Sequence, residues 1–167
     1  NKGPLPQNLL FKPPRKDFKL PDLSSTELED AFDQIELIGF PLCSPFKLLN
    51  NPPEEPLLAR DLILNLDNQV RIMGYLVTTK PTHTQKGERM HFGTFLDKEG
   101  YYFDTVHFPD VSANYPFRGR GVYLIEGKVT EEFDVCSIEA SRAEKLPLIE
   151  DPRYSDEDSD KWKLLQA

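Results

Sequence analysis

Residues 69–80, QVRIMGYLVTTK, form a long run rich in β-branched and aromatic residues. Such a composition favours a strand over a helix. Gly74 lies at the middle of the run, where a glycine allows a strand to bend sharply. A long first strand that bends is typical of small β-barrels, in which it takes part in both halves of the sheet.

Four shorter strand-like segments follow, separated by turn-forming residues. They are MHFGTFLD at 90–97, YYFDTVHF at 101–108, GVYLIEGKV at 121–129 and VCSIEA at 135–140. The second and third strands read as a hairpin, and a longer irregular stretch, PDVSANYPFRGRG, precedes the fourth. This order predicts an all-β fold, a five-stranded OB-fold Greek-key barrel. The strands alone also fit an SH3-like barrel or a fragment of a larger sandwich.

The residues upstream of the barrel predict a short helix. Apolar residues recur at helical spacing at Leu28, Ala31, Phe32 and Ile35. Thr26 with Glu29, or Ser24 with Glu27, offers a capping box, and Gly39 is a natural stop. A proline-rich connector then leads to the first strand. The chain therefore divides into an extended arm at 1–23, the helix and connector at 24–68, the OB-fold at 69–150 and an acidic tail at 151–167.

The charge of the chain is unevenly distributed. Its net charge of −8 argues against non-specific attraction to nucleic acid. Residues 69–130, however, carry eight Lys and Arg against six Asp and Glu, whereas the segments at 21–68 and 131–167 are strongly acidic. The middle segment at 69–130 is thus the least acidic folded part of the chain.

The cysteine and hydropathy patterns indicate the cellular compartment of the protein. Cys43 and Cys136 form no CxxC pair, which fits a reduced intracellular environment and disfavours a structural zinc site. The sequence has no 18-residue apolar run and no basic-then-apolar leader, so we expect a cytoplasmic protein without a membrane partner. Because it begins at Asn1, we expect a piece of a longer protein.

Motifs for catalysis are not found. The sequence contains no glycine-rich phosphate loop, GxSxG or HExxH motif. His83, His91 and His107 are spaced for neither a metal site nor a triad, so we expect ordinary surface or edge histidines. Asp97 and Asp104 are expected to flank the turn of the second hairpin. The residues predict a binding module with no catalytic residue and no cofactor of its own.

The segment KPTHTQKGERMH between the first two strands predicts a nucleic-acid contact. OB-folds bind single strands at this loop and over the second and third strands. The candidate binding residues are Lys80, His83, Lys86, Arg89, Tyr102, Arg118 and Arg120. We assign Phe92 and Ile125 to the core, which leaves Tyr102 as the better stacking residue. The acidic loop TEEFD between the fourth and fifth strands predicts weak binding.

Three segments together resemble the C-terminal part of the bacterial replicative DNA polymerase III alpha subunit. They are ELIGFPLCSPF, GYLVTTKPTHTQKGERMHFGTFLDKEGYYFDTVHFP and GVYLIEGKV, and the resemblance covers roughly residues 7–154. It implies an OB domain that contacts single-stranded template DNA in the bacterial cytoplasm, at the nucleoid, among other replisome subunits. It also implies that the parent is a DNA polymerase, a nucleotidyltransferase that uses two Mg²⁺ ions, whose catalytic acidic residues lie outside this chain.

The arm contains the stretch QNLLF at 7–11, between pairs of prolines that forbid a stable helix. In the polymerase family, a short peptide of the type QxxLF or QxxMF, located before the OB domain, binds the sliding clamp. The resemblance therefore implies clamp binding by Gln7, Leu10 and Phe11. An extended segment of this kind can dock apolar anchors into a groove.

Two other functions remain open at this point. The barrel could be a protein-interaction module that binds another replisome subunit and never contacts DNA, which the acidic balance favours. It could also be an anticodon-binding OB domain of a tRNA-charging enzyme, which a preference for RNA would reveal. The arm has no role in the second alternative.

Overall fold

The computed structural model describes residues 25–54, 56–132 and 134–154, with nothing stated of the side chain of Pro152. The predicted arm at 1–23, with its motif at 7–11, lies outside the described residues. So do Ser24, one of the two predicted helix caps, and residues 155–167 of the predicted acidic tail.

Five strands form the barrel. They are β1 (Gln69–His83), β2 (Arg89–Leu96), β3 (Tyr102–His107), β4 (Val122–Glu132) and β5 (Val135–Lys145). Hydrogen bonds close them in the order β1-β2-β3-β5-β4, and β1 pairs with β4. Every neighbouring pair is antiparallel except β3 and β5, which are parallel. This five-stranded Greek-key barrel confirms the predicted OB-fold.

β1, β4 and β5 each end later than predicted, at His83, Glu132 and Lys145. β1 continues to His83 and β2 begins at Arg89, so the loop between them shrinks to residues 84–88. β4 and β5 stay paired as far as Glu132 and Val135, which makes the predicted acidic loop TEEFD mostly strand. Backbone hydrogen bonds between strands do not depend on side-chain type, so the strands stay paired where the polar sequence no longer indicates a strand.

β1 changes its partner at Tyr75. Its first half pairs with β4 and its second half with β2, and the register with β2 shifts between Leu76 and Thr78. A shift of this kind is a bulge, which bends a strand. The bend expected at Gly74 therefore falls a few residues later.

Gly74 is instead a position of close packing inside the barrel. A Cβ atom at Gly74 would lie 2.6 Å from Cζ of Phe103 and 2.7 Å from Cβ of Phe95. These two rings stack inside the barrel with centroids 5.4 Å apart. Other fully buried side chains of the interior are Ile72, Tyr123, Ile125, Val129 and Ile138. The predicted core position of Ile125 is confirmed.

Short helices close the two ends of the barrel. At one end, the 3₁₀ helix Ala59–Asn65 inserts Leu62 into the core. At the other end lies α2 (Pro109–Asn114), from which Val111 and the following Phe117 pack on the core. The stretch PDVSANYPFRGRG, expected to be irregular, thus begins with a helix. Pro109 is compatible with this helix because it lies in the first turn, where the missing backbone N–H would have no partner within the helix.

The segments before and after the barrel pack on its outside as one layer. Leu49 bridges to Leu148, and the Ile149 N–H donates to the Leu48 carbonyl at 2.8 Å. Together they cover an outer apolar cluster of β1 and β4 that includes Met73 and Leu124. The barrel wall on this side is therefore shielded from solvent.

The predicted helix is confirmed as α1 (Glu27–Ile38). Thr26 Oγ1 accepts from the Glu29 N–H, the Glu29 carboxylate accepts from the Thr26 N–H, and Gly39 ends the helix in the left-handed conformation. No helix within the described residues is long and apolar enough to cross a membrane.

We expect Gly74→Ala to destabilise the fold by about 2 kcal/mol, because the added methyl group overpacks the Phe95–Phe103 stack. Urea denaturation measures the free energy of unfolding. Thr78→Val, at an exposed position of the same strand, should change it by less than about 0.5 kcal/mol. Equal stability of Gly74→Ala and the unsubstituted protein would contradict the packing described above.

Candidate nucleic-acid interface

The outer surface of β1, β2 and β3 carries three rows of side chains set by the strand register. The rows are Lys80, Phe92 and Val106, then Thr78, Thr94 and Asp104, then Tyr75, Leu96 and Tyr102. Residues paired across strands share a face, and successive residues of a strand alternate between faces. We call the surface formed by these nine residues the open face.

Two aromatic rings of the open face are accessible to solvent. Tyr102 is 67 % exposed, as expected for a stacking residue, and Phe92 is 41 % exposed. The assignment of Phe92 to the core is wrong. Gly93 and Phe95 take the inward positions of β2, so alternation turns Phe92 outward. Sequence reasoning missed this residue because it fixed no register for β2.

The cations of the first loop are divided between two faces. Lys80 pairs with Phe92 and therefore stands beside that exposed ring. Lys86 is exposed in the 84–88 loop. Neither lysine forms an ion pair with another described residue. Both positive charges therefore remain available to a phosphate.

Arg89 and His83 pair with each other at the tip of the β1–β2 ribbon, within strands rather than in a loop. By alternation along β2, Arg89 lies on the face opposite to Phe92. It lines a groove of about 510 Å³ together with His91, Ser112 and Phe117, beside α2. The structure does not bring Arg89 together with the open face.

Arg120 and Arg118 lie at different places on the surface. The Arg120 guanidinium lies 5.8 Å from the centre of the Phe40 ring and lines a crevice with Tyr75, at the edge of the open face. Burial raises the pKa of Tyr75, and the charge of Arg120 partly offsets this. Arg118 instead accepts a hydrogen bond at its carbonyl from Lys145 Nζ, at 3.1 Å, in a separate groove. Of the seven predicted residues, Lys80, Tyr102 and Arg120 thus belong to the open face or its edge.

Two carboxylates lie at the β3–β5 side of the open face. Asp104 was expected to flank the turn, but it lies within β3. There its Oδ1 accepts a hydrogen bond from Thr94 Oγ1 at 2.6 Å. Glu139 on β5 pairs with Val106. The open face is therefore cationic toward β1 and anionic toward β5.

Asp97 does organise the turn between β2 and β3. This buried carboxylate accepts from the backbone N–H groups of Glu99 and Tyr101 through Oδ1, both at 2.9 Å. Its Oδ2 accepts from the N–H of Ala59, at 2.9 Å, which ties the 3₁₀ helix to the turn. The turn role predicted for Asp97 is confirmed.

His107 is a buried residue, contrary to the expectation of a surface or edge histidine. It is 1 % exposed and lies 4.6 Å, centroid to centroid, from the ring of Phe117. Its Nε2 is 2.8 Å from Thr105 Oγ1, whose hydroxyl also lies 3.2 Å from the Gly93 carbonyl. If the hydroxyl donates to that carbonyl, Nε2 carries the proton and donates to Thr105, and Nδ1 keeps a lone pair without a described partner.

His91 is the cross-strand neighbour of His107 and contacts α2. Ser112 Oγ donates to the His107 carbonyl at 2.8 Å, so it accepts from His91 Nδ1 at 3.1 Å. Burial lowers the pKa of His107 to about 4, with a further contribution from His91. Burial and Arg89 lower the pKa of His91 as well. Within the described ranges, no group of three or more His, Cys, Asp or Glu is arranged to hold a metal ion.

Comparison with known proteins finds likeness in structure alone. No protein-family model and no curated protein matches the sequence. The single-stranded DNA binding protein from Thermus aquaticus is similar over 50 % of this chain and 41 % of its own, with 18 % identity and a TM-score of 0.41. The second OB-fold domain of replication protein A from Methanococcus maripaludis is similar over 51 % of this chain and 87 % of its own, with 13 % identity and a TM-score of 0.31.

With TM-scores below 0.5, neither likeness decides the fold or the function of this chain. This chain spans less than half of the Thermus aquaticus chain. The resemblance to the polymerase III alpha subunit remains a prediction. The barrel itself is identified by its strand order and pairing.

The free energy of unfolding should decrease as the pH is lowered, because His107 is buried in its neutral form. The imidazole binds a proton near pH 6.5 in the unfolded chain but only near pH 4 in the folded chain. The contribution of the neutral imidazole to the free energy of unfolding is therefore fully present above pH 6.5 and is lost as the pH falls toward 4. Replacing the imidazole by an uncharged amide, in His107→Gln, should make this decline shallower by up to about 1.4 kcal/mol per pH unit. Urea denaturation at several pH values in this range measures the slope.

His83→Gln is the matched control, because His83 is exposed in the same region. It should keep the steep decline of the unsubstituted protein. If the His107→Gln profile ran parallel to that of the unsubstituted protein, the buried neutral imidazole would be refuted.

Proposed function

We propose that this chain is a single-stranded DNA-binding OB domain and that the open face is its binding surface. The observation that carries the proposal is the pair of solvent-exposed rings, Phe92 and Tyr102, on β2 and β3. This is the surface on which OB-folds bind oligonucleotides. Exposed aromatic rings there offer unpaired bases a stacking platform of about 1–3 kcal/mol per base.

The charge distribution around the open face supports the same function. Lys80 lies beside Phe92, and Arg120 lies beside Tyr75 at the other end. Both cations can contact phosphates of a strand whose bases cover the rings. Asp104 and Glu139 repel phosphates on the remaining side, so the backbone should follow the β1 side. Two opposed charge signs on one face predict weak binding that depends on salt.

We further propose that the chain belongs to a bacterial replicative DNA polymerase and guides its single-stranded template. Support comes from the resemblance to the polymerase III alpha subunit, above all from KGERMHFGTFLD at 86–97. In such a parent, Mg²⁺-dependent nucleotidyl transfer takes place on a different domain. The arm at 1–23 would tether the polymerase to its sliding clamp, which raises processivity through effective concentration.

A protein-docking function is the second candidate, favoured by apolar side chains exposed at the end of α1. Leu37, Ile38 and Leu42, at or just after the end of α1, are 82 %, 48 % and 70 % exposed. Exposed apolar groups that lie together are typical of contact with another protein. Such a surface suits another replisome subunit or another domain of the parent.

Single-stranded DNA binding is tested with a fluorescent twelve-nucleotide oligonucleotide at low and physiological salt. Phe92→Ala and Tyr102→Ala should each weaken binding at least about fivefold, because each removes one stacking ring. Tyr154→Ala is the matched control, because Tyr154 is 65 % exposed but lies outside the open face. It should leave the affinity unchanged.

Three outcomes of this titration separate the candidate functions. Absence of binding by the unsubstituted chain at low salt would reject DNA binding and leave the protein-docking function. Tighter binding of an RNA oligonucleotide of the same sequence would indicate the anticodon-binding alternative. An equal loss of affinity in Tyr154→Ala would show that the open face is not the binding surface.

Clamp tethering is tested with the complete chain and the bacterial sliding clamp on a biosensor surface. Changing Gln7, Leu10 and Phe11 to Ala should reduce the affinity at least about tenfold, because apolar anchors carry most of the energy of a short docked peptide. Changing Lys12, Lys16 and Lys19 to Ala controls for charge in the arm. Loss of binding in the lysine variant alone would show non-specific attraction rather than a docked motif.

A further inference from the structure

We propose that Asp104 selects the base that lies between the two stacking rings, and that it favours bases with an exocyclic amine. The proposal rests on the single-stranded DNA binding proposed above and names a specificity for the same surface. It assigns a role to a carboxylate that would otherwise only repel the phosphates of the ligand.

The register places Asp104 between the two rings. Phe92 pairs with Val106, and Tyr102 lies four residues before Val106 on the same strand. With about 3.3 Å per residue along a strand and about 4.8 Å between strands, the Cα atoms of Phe92 and Tyr102 are about 14 Å apart. The row formed by Thr94 and Asp104 lies midway between them.

The same distance fits a span of two nucleotides. A single strand with separated bases advances about 7 Å per nucleotide, roughly twice the rise of a strand in duplex DNA. Bases stacked on Phe92 and Tyr102 are therefore separated by one intervening base. That base lies over Thr94 and Asp104, where there is no ring to stack on but there are groups that form hydrogen bonds.

Asp104 is oriented for this contact by its neighbour. Oδ1 accepts from Thr94 Oγ1 at 2.6 Å, whereas Oδ2 accepts no hydrogen bond from a described residue. Asp104 is exposed, so Oδ2 is accessible to a ligand. An ionised carboxylate only accepts hydrogen bonds, so it presents an acceptor to the edge of the middle base.

The bases differ in what they offer to such an acceptor. Cytosine offers its N4 amine and adenine its N6 amine, and an Asp or Glu that accepts from cytosine N4 is a known readout pair. Guanine offers N1–H beside its N2 amine, which together match the two oxygens of a carboxylate. Thymine has no amine, and its N3–H lies between two carbonyl oxygens that the carboxylate repels. Asp104 should therefore favour guanine, cytosine and adenine over thymine.

The test compares twelve-nucleotide homopolymers of dC and dT, for which every register places the same base over Asp104. The unsubstituted chain should bind the dC oligonucleotide about fivefold tighter than the dT oligonucleotide. In Asp104→Asn, the amide presents both a donor and an acceptor, so the ratio should fall below about twofold. Asp104→Ala should lower the ratio as well and gives a second variant, and the thermal unfolding curve of each verifies its fold.

Glu139→Gln is the matched control, because it removes one negative charge from the next strand without reaching the middle base. It should tighten binding of both oligonucleotides and preserve their ratio. An unchanged ratio in folded Asp104→Asn would overturn this proposal and leave DNA binding intact. Absence of binding to either oligonucleotide by the unsubstituted chain would instead overturn the proposed function and this inference with it.

Discussion

The barrel closes because three positions in its wall have no room for a side chain. Gly74 faces the stacked rings of Phe95 and Phe103, and Gly93 faces Phe95 and Phe117. Gly127 lies against the backbone of β5, where β4 and β5 shift register. Large rings can fill so narrow a barrel only where neighbouring positions carry no side chain. The aromatic content of the chain is thereby divided into rings that hold the fold together and rings left for the surface.

This division explains why the candidate site lies outside the barrel. Once Gly93 and Phe95 point inward, alternation along β2 requires Phe92 and Thr94 to point outward. The same rule on β3 buries Phe103 and exposes Tyr102 and Asp104. The packing of the interior and the composition of the open face are therefore two consequences of one register. A slip of one residue would exchange the two sets of side chains.

The polar cluster beneath α2 serves the fold rather than the candidate site. His107 is buried against Phe117, and its neighbour His91 contacts the helix through Ser112. Burial keeps the imidazole of His107 neutral, since a charge there would lose its hydration. Arg89, at the mouth of this region, adds a positive charge that acts against protonation of His91. This end of the barrel depends on the neutral, buried imidazole of His107, whereas the open face depends on charged and aromatic groups.

The sequence by itself determined the number and order of the strands, the capped helix α1 and the turn role of Asp97. These features depend on local composition, on alternation and on short-range hydrogen bonds, which neighbouring residues specify. The resemblance to a polymerase was also a matter of sequence, and it remains a prediction. Only the tertiary structure decided that Phe92 lies outside, that His107 is buried and that Arg89 and Arg118 leave the open face. Register, the position of the bulge in β1 and the pairing of distant strands set those outcomes, because each side chain's face depends on partners far away in the chain.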